Sequence, residues 1–172
     1  MKKSSKDLLE TVAYILLGVV AAYLLNFGLG MALGTDLPVV AVVSDSMTHD
    51  VTTPLRHYEY LQEKYGYTEE EINSWPITGG FLRGDALVVV GIETDELKPG
   101  DVIVYDIKGQ STPIVHRIVE IGEDGDILTK GDHNPSQDPW EPINIHGKAV
   151  AVIPFLGWPK LLLTTTLGGI LK

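Results

Sequence analysis

A serine motif occurs where a nucleophile could be held rigidly. Ser44-Asp45-Ser46-Met47 directly follows the apolar segment 39–43, a pattern typical of a β-strand that ends in a turn. A serine hydroxyl attacks effectively only when a base within hydrogen-bond reach takes its proton. The motif therefore predicts a nucleophile only if the chain also brings a base to it, because the same tripeptide is common in ordinary turns.

The best candidate for that base is a histidine within an apolar strand. His116 interrupts the apolar segment 114–119, and strand alternation places it on the same face as Ile114 and Ile118. An isolated histidine of this kind is more often structural. The same packing would also fix the ring orientation of a general base, so both interpretations stay open at this point.

A turn-rich loop supplies two carboxylates six residues apart. Asp132 and Asp138 lie in the segment 130–138, which reads Lys-Gly-Asp-His-Asn-Pro-Ser-Gln-Asp. A buried aspartate can orient a catalytic histidine and stabilise its imidazolium form. Gly-Asp-His-Asn-Pro is also good turn chemistry, because Asp and Asn side chains bond to nearby backbone groups.

The elements around these residues read as short strands. Turn residues at 98–101, 122–125 and 134–135 separate segments rich in β-branched residues. Such spacing predicts a mainly β domain, either an antiparallel β-sandwich or a small barrel. The predicted strands cover residues 39–43, 86–92, 102–107, 114–121, 127–130 and 143–153.

A helical insert, residues 50–79, interrupts the strands. Pro54 could occupy the first turn of a helix that runs to about Tyr65 and is stopped by Gly66. Thr68 and Glu71 match a capping box for a second short helix. The Trp75-Pro76 pair would end that helix.

The N-terminal region predicts a membrane anchor. Residues 11–34 carry no charge, and at about 1.5 Å per residue they reach roughly 36 Å as a helix, enough to cross a hydrocarbon core of about 30 Å. A cleavable signal peptide is the alternative, but its apolar region would be about 7–15 residues long. Three lysines precede the span, so residues 1–10 are expected to be a cytoplasmic tail, with the domain at 35–153 on the other side.

The apolar C-terminal segment, residues 154–172, is ambiguous. It is at the lower length limit for a membrane span, and it contains two prolines and two lysines. A second span and a segment lying in the membrane interface both remain open.

Composition excludes several functional classes. Residues 35–148 hold 21 of the 23 acidic residues but 8 of the 13 basic ones, which leaves no basic surface for nucleic acid. The chain has no cysteine, so disulfides and thiolate metal sites are impossible. His116, Asp132, His133 and His146 could in principle ligate a metal, but no H-E-x-x-H pair supports this. We therefore expect neither a metal nor a cofactor.

Together, the motifs resemble those of type I signal peptidases. The matching features occur in order: a strand leading to Ser-x-Ser-Met, Gly-Asp before apolar strands, His-Arg within a strand, and Lys-Gly-Asp-x-Asn with a second aspartate six residues after the first. The resemblance covers nearly the whole chain. It is to the archaeal and endoplasmic-reticulum branch, because bacterial relatives carry lysine where this chain has His116. The insert, from His57 to Pro76, looks like that of archaeal members.

The resemblance implies a role for each site residue. Ser46 corresponds to the nucleophile, and Ser44 to a serine whose hydroxyl joins the Ser46 N–H in an oxyanion hole. His116 corresponds to the general base. Asp138 corresponds to the carboxylate that partners this base, and Asp132 to a second important acid; we rank Asp138 first as the third triad member. One departure is His133, where the family usually has asparagine.

The resemblance also implies a substrate class and a location. The family cleaves signal-peptide-bearing preproteins and recognises small residues at two alternate positions before the cut. An extended peptide added to a sheet edge presents alternate side chains to one wall. The expected partners are these preproteins and the lipid bilayer of the cell membrane, with an association with the secretion machinery left open. The residues expected to form the wall are Pro38, Val40, Val42, Leu87 and Val89.

A non-enzymatic function is the alternative hypothesis. An anchored β-domain that binds extracytoplasmic partners, or a pseudo-protease, would account for the strands and the anchor. It would leave the Ser44–Met47 motif and the two aspartates of the loop as coincidence.

Overall fold

A single antiparallel sheet of six strands forms the body of the protein. The computed structural model describes residues 5–163, and every strand pair in the sheet is antiparallel. The spatial order of the strands is β1-β2-β6-β3-β4-β5. The strands are β1 (Val39–Ala41), β2 (Ala86–Val90), β3 (Val102–Asp106), β4 (Ile114–Ile121), β5 (Ile127–Lys130) and β6 (Asn144–Ile153).

The structure confirms the predicted mainly β architecture. All six predicted segments form strands, and the largest differences are two residues at the ends of β1 and β2. Beyond β1 the chain continues alongside the start of β2, since the Val42 N–H donates to the Asp85 carbonyl at 2.9 Å. The predicted alternation is also present in β3, where Val102 and Val104 pack on one face and Ile103 and Tyr105 on the other.

The two edge strands lead into loops that touch each other. β1 and β5 lie at opposite edges of the sheet. The segment after β1 nevertheless meets the segment after β5, because the His133 N–H donates to the Ser46 carbonyl at 2.9 Å. Of the two forms left open by the sequence, this single curled sheet is closer to the small barrel. The curl brings the serine motif and the aspartate loop to the same place.

The insert forms two helices at the predicted places. α2 (Thr53–Tyr65) ends at Gly66, whose φ of 74° is left-handed, and whose N–H bonds to the Gln62 carbonyl at 3.0 Å. α3 (Glu69–Ser74) begins with the predicted capping box between Thr68 and Glu71.

An apolar cluster packs the insert on the sheet. It combines Leu61 of α2, Ile72 of α3 and Val119 of β4, with tyrosines around them. The Tyr67 hydroxyl also donates to the Val119 carbonyl at 3.0 Å. The insert is therefore fixed to the strand that carries His116.

One long helix, α1 (Ser5–Leu33), covers the predicted anchor except for its last residue, Gly34. It is long and apolar enough to cross a membrane, and none of its apolar window is buried against the rest of the protein. It begins six residues before the predicted span, since the charged residues at its start are also compatible with a helix. Its end is fixed to the sheet, because the Gly91 N–H donates to the Leu33 carbonyl at 2.8 Å.

The predicted C-terminal segment is described only in part. Residues 154–163 follow β6, and Phe155, Leu156 and Trp158 expose much of their side chains. Residues 164–172, like residues 1–4 of the predicted cytoplasmic tail, lie outside the described residues. Membrane association of 154–172 therefore stays a prediction.

Truncation of one buried side chain should measure how strongly the insert is attached. Leu61 is fully buried between α2 and β4. We expect Leu61→Ala to lower the free energy of unfolding by about 2–5 kcal/mol, because the cavity it leaves cannot fully collapse. Leu55→Ala, on the same helix but 66% exposed, should change it by less than about 0.5 kcal/mol. Urea unfolding in detergent measures both, and equal losses would contradict this packing.

Candidate active site

Ser46 lies in a tight turn that is anchored by the residue after it. The Thr48 N–H donates to the Asp45 carbonyl at 3.0 Å and closes a turn with Ser46 and Met47 at its centre. Ser46 is half-buried, whereas Met47 is buried in the core. The Met47 sulfur accepts a hydrogen bond from the Asp132 N–H at 3.3 Å. The methionine thus ties the serine turn to the aspartate loop.

Two donors adjoin the Ser46 hydroxyl. Ser44 Oγ lies 3.1 Å from Ser46 Oγ, and Ser44 is exposed. Within residues 5–163, the Ser46 N–H makes no hydrogen bond. A hydroxyl and a free N–H beside a nucleophile are the groups that can stabilise a developing oxyanion.

His116 forms a short hydrogen bond with Asp138. Their Nδ1 and Oδ2 atoms are 2.6 Å apart, and both side chains are buried. His116 lies on β4 opposite Ile103, so it shares the face of Ile103 and Ile118, where the second half of the core packs. The Asp138 backbone is fixed as well, since its N–H donates to the Thr129 carbonyl at 2.8 Å.

Two hydroxyl groups also hold the Asp138 carboxylate. Asp138 Oδ2 accepts from Thr129 Oγ1 at 2.7 Å and from the Tyr105 hydroxyl at 3.2 Å. Burial raises the pKa of Tyr105, so its hydroxyl keeps its proton and remains a donor. With His116, three donors converge on one oxygen and fix the carboxylate in place.

Sequence reasoning missed Thr129 and Tyr105. Both lie in strands that the sequence predicted, and both are polar groups at fully buried positions. A hydroxyl at the inward position of an apolar strand needs a buried partner. That requirement was the one available indication that these residues belong to the site.

Asp132 has different surroundings from Asp138. Its carboxylate receives two hydrogen bonds from Arg117, Nε to Oδ1 at 2.9 Å and Nη2 to Oδ2 at 2.8 Å. His49 Nε2 lies 3.0 Å from Oδ2. Burial alone would raise the pKa of Asp132, but the Arg117 charge and these hydrogen bonds outweigh it and hold that pKa well below its ordinary value. The structure thus brings Asp138, and not Asp132, to His116.

Arg117 connects Asp132 to the insert. Its Nη1 donates to the carbonyls of Pro76 at 2.7 Å and Gly100 at 2.8 Å, and its Nη2 donates to that of Ile77 at 2.9 Å. All five N–H donors of a guanidinium can therefore be used without contact with water. His116 and Arg117 are adjacent on β4, so their side chains lie on opposite faces: one reaches Asp138 and the other Asp132.

Two more titratable groups pack against this ion pair. Burial lowers the pKa of His57 to about 4, and its Nε2 lies 3.5 Å from Asp132 Oδ1. Burial likewise lowers the pKa of Lys130 to about 8. Lys130 Nζ donates to the carbonyls of Gly131 at 2.9 Å and Asp132 at 3.2 Å. These contacts fix the start of the loop that carries both aspartates.

The structure forms two pairs of site residues that no hydrogen bond joins to each other. Ser44 contacts Ser46, and His116 contacts Asp138, but within residues 5–163 no hydrogen bond links Ser46 Oγ to His116. The serine pair and the His116–Asp138 pair are connected through the loop after β5, where the His133 N–H bonds to the Ser46 carbonyl. Catalytic hydrogen bonds are often long in a free enzyme and tighten when substrate binds.

The expected substrate wall lies in the core instead of lining an open surface. Leu87 and Val89 are fully buried, and Val42 is nearly so. Pro38 is buried and Val40 is half-buried. The side chains of Pro38, Val40 and Val42 point inward, so the role of these residues as a substrate wall stays a prediction. Val39 and Val43 point outward and are 37% and 49% exposed.

The histidines considered as metal ligands lie in different places. His133 Nδ1 is 2.8 Å from Thr53 Oγ1. His146 lies beside Asp36, at 2.8 Å, away from the loop. In the part of the chain that the structure describes, no group of three or more His, Asp or Glu side chains is arranged to hold a metal ion.

Removal of Arg117 should expose the cost of a buried, unpaired carboxylate. With Arg117 present, the contribution of Asp132 to stability is complete above about pH 4 and is lost as the pH falls toward its lowered pKa. In Arg117→Met the pKa of Asp132 should instead rise. We expect a loss of about 3–5 kcal/mol in unfolding free energy at pH 7, which shrinks as the pH falls and Asp132 takes up a proton.

Denaturant unfolding between pH 4 and 7 measures this effect. Arg83→Met, at an exposed arginine, is the matched control and should change the stability little at any pH. A pH-independent loss in Arg117→Met, or one below about 1 kcal/mol at pH 7, would contradict the role given to the ion pair.

Comparison with known proteins identifies the family. No family model matches the chain. It is 30% identical to the signal peptidase complex catalytic subunit SEC11 of Chaetomium globosum over 84% of this chain and 81% of that protein. The corresponding subunit of Sclerotinia sclerotiorum is 38% identical over 49% of this chain and 56% of its own length. The human catalytic subunit SEC11C is 26% identical over 94% of this chain and 76% of that protein.

These three relatives are eukaryotic. They bear out the endoplasmic-reticulum side of the predicted branch, whereas the archaeal side stays a prediction. The motifs, the curled antiparallel sheet and a relative of 30% identity that matches along most of both chains agree with one another. The chain therefore belongs to the type I signal peptidases, a family of serine endopeptidases, in the branch of the SEC11 catalytic subunits.

Proposed function

We propose that this chain removes N-terminal signal peptides from secreted preproteins, with Ser46 as nucleophile, His116 as general base and Asp138 as the partner of His116. The observation that carries the proposal is the 2.6 Å contact between His116 Nδ1 and the buried Asp138 carboxylate, in a chain of this family. Membership in a family of catalytic subunits favours an enzyme over the non-catalytic alternative.

The His116–Asp138 contact fixes which nitrogen can act as base. An ionised carboxylate only accepts hydrogen bonds, so a neutral His116 ring carries its proton on Nδ1. Nε2 is then the acceptor, and within residues 5–163 it has no hydrogen-bond partner. It is therefore available to take the proton of the Ser46 hydroxyl.

The reaction proceeds in two steps in this proposal. Ser46 Oγ attacks the carbonyl carbon of the scissile bond while His116 accepts the serine proton. Asp138 stabilises the resulting imidazolium, which then passes its proton to the leaving amine of the mature protein. In the second step His116 takes a proton from water, the hydroxide attacks the acyl group, and Ser46 recovers its proton as the signal peptide leaves.

The serine turn supplies the groups that stabilise the intermediate. The negative oxygen of the tetrahedral intermediate would accept from the Ser46 N–H and from the Ser44 hydroxyl, which lies beside Ser46 Oγ. One such donor contributes about 100- to 1000-fold to kcat in serine proteases. Either hydroxyl can donate in the Ser44–Ser46 contact, and when substrate binds the Ser44 proton would have to point toward this oxygen.

The signal peptide would bind along the free edge of β1. The Pro38 carbonyl accepts from the Val89 N–H at 3.0 Å, and the Val42 N–H bonds to Asp85, so even-numbered residues of β1 face β2. Because bonding directions alternate along a strand, the backbone groups of Val39, Ala41 and Val43 face the open edge. An extended peptide can add there as a further strand.

The same edge offers a reason for the preference for small residues. A peptide beside β1 points alternate side chains toward the layer formed by Val42, Leu87 and Val89. That layer is already filled in the free protein, since Leu87 and Val89 are fully buried. Small side chains fit over a filled layer, whereas large ones would force it apart.

Several features support an anchored enzyme at the cell membrane. α1 would cross the bilayer with its lysine-containing start in the cytoplasm, and the sheet would lie outside. Phe155, Leu156 and Trp158 add exposed apolar surface at the end of β6. We retain an archaeal origin as part of the proposal, supported by the resemblance of the insert. The relatives are named as subunits of a complex, so an association with secretion machinery is included as well.

Substitution of either reacting residue should abolish processing. We expect Ser46→Ala and His116→Ala each to lower kcat by more than about 1000-fold, because each removes one member of a unit that acts together. Cleavage of a signal-peptide-bearing preprotein in liposomes, with sequencing of the N-terminus of the product, measures this effect. Ser136→Ala, at an exposed serine in the same loop as Asp132, should cleave normally.

Two outcomes would contradict the proposal. The first is processing of the preprotein by either folded variant at a rate near that of the unchanged chain. The second is a product N-terminus that does not correspond to a signal-peptide cleavage site.

A further inference from the structure

A cleft separates the insert from the aspartate loop. Its volume is about 420 Å³, and it lies between one face of α2 and the tip of the loop after β5. None of the roles assigned above uses it. Its lining residues are Thr53, Arg56, Glu59, Tyr60, Glu63, His133, Asn134 and Pro135.

One wall of the cleft is continuous with the serine turn. His133 contributes to the lining, and its backbone N–H is bonded to the Ser46 carbonyl at 2.9 Å. The His133 ring reaches across to Thr53 Oγ1 at 2.8 Å, at the start of α2. Thr53 is itself held by Asp50 Oδ1, at 2.9 Å from both its N–H and its hydroxyl. The cleft therefore lies next to Ser46, because His133 both lines the cleft and is hydrogen-bonded to the Ser46 carbonyl. Asp50 holds Thr53, on the opposite wall, in place.

The chain direction shows which half of a substrate could reach this cleft. If the residues before the cut lie along β1, they occupy the sheet side of Ser46, because β1 ends before Ser46. The rest of the extended substrate must leave on the other side. There the chain runs through Met47 and Asp50 into α2, whose residues line the cleft.

The charges along the cleft distinguish among possible peptides. Arg56, Glu59 and Glu63 line it from α2, and all three are exposed. None of the three forms an ion pair within residues 5–163. Their side chains are thus available to a ligand, and two carboxylates against one guanidinium favour a basic side chain over an acidic one.

We propose that this cleft binds the first residues of the mature protein, those that follow the scissile bond, and prefers lysine or arginine among them. The inference rests on the proposed function, since it takes Ser46 as the point of cleavage. In this proposal the insert takes part in substrate recognition. The enzyme would then recognise residues on both sides of the scissile bond: small residues before it and a basic residue after it.

A charge series in the substrate tests this inference. A set of preproteins shares one signal peptide and one cleavage site, and carries Lys, Gln or Glu in turn at each of the second to fifth positions after the cut. We expect the KM of the unchanged enzyme to be about threefold to fivefold lower for Lys than for Glu at one or more of these positions, as expected for exposed charge pairs. The preference should weaken at high salt.

Matched enzyme variants locate the effect. The double variant Glu59→Gln/Glu63→Gln should lose the preference for Lys, whereas Glu69→Gln/Glu70→Gln, at exposed acids of α3 outside the cleft, should keep it. In every variant, a bulky residue directly before the cut should still block cleavage. That result shows that recognition of the residues before the scissile bond is unchanged.

The outcomes separate this inference from the proposed function. Normal Ser46-dependent cleavage with equal KM for Lys and Glu substrates, or an equal loss of preference in both double variants, would overturn the role of the cleft alone. Absence of Ser46-dependent cleavage in the unchanged chain would overturn the proposed function and this inference with it.

Discussion

The buried ion pair between Arg117 and Asp132 is the interaction on which the rest of the site depends. It joins β4 to the loop after β5, and its guanidinium also binds carbonyl groups from the end of the insert and the turn before β3. The Asp132 N–H bonds to Met47, which anchors the serine turn. A buried charge without its partner is costly, so this pair holds four separate segments in one arrangement.

Two adjacent residues of β4 have different roles. His116 and Arg117 project to opposite faces of β4, and each meets one of the two aspartates of the same loop. The alternation of a β-strand thus separates the groups that would react from the groups that hold the frame. This arrangement accounts for two carboxylates in a site that needs one to orient its base.

The sequence predicted the strands and both insert helices, because alternation, capping residues and turn residues act locally. The site residues, and the ranking of Asp138 above Asp132 as the partner of His116, came instead from the resemblance to the family. The sequence did not predict Tyr105, whose hydroxyl meets Asp138 only after distant strands pair, or Thr129, whose hydroxyl meets Asp138 where the loop after β5 turns back onto that strand. Nor did it predict that Leu87 and Val89, expected in the substrate wall, are fully buried in the core. Long-range pairing and sheet curvature decide such features.

The division of labour between the two aspartates is the central claim, and kcat of Asp138→Asn tests it most directly. The amide keeps the size of the carboxylate but can no longer stabilise the His116 imidazolium or select the Nδ1 tautomer. For cleavage of a preprotein, the account predicts a fall in kcat of roughly 1000- to 10,000-fold in a protein that remains folded. A folded Asp138→Asn protein whose kcat stays within tenfold of the unchanged chain would contradict it.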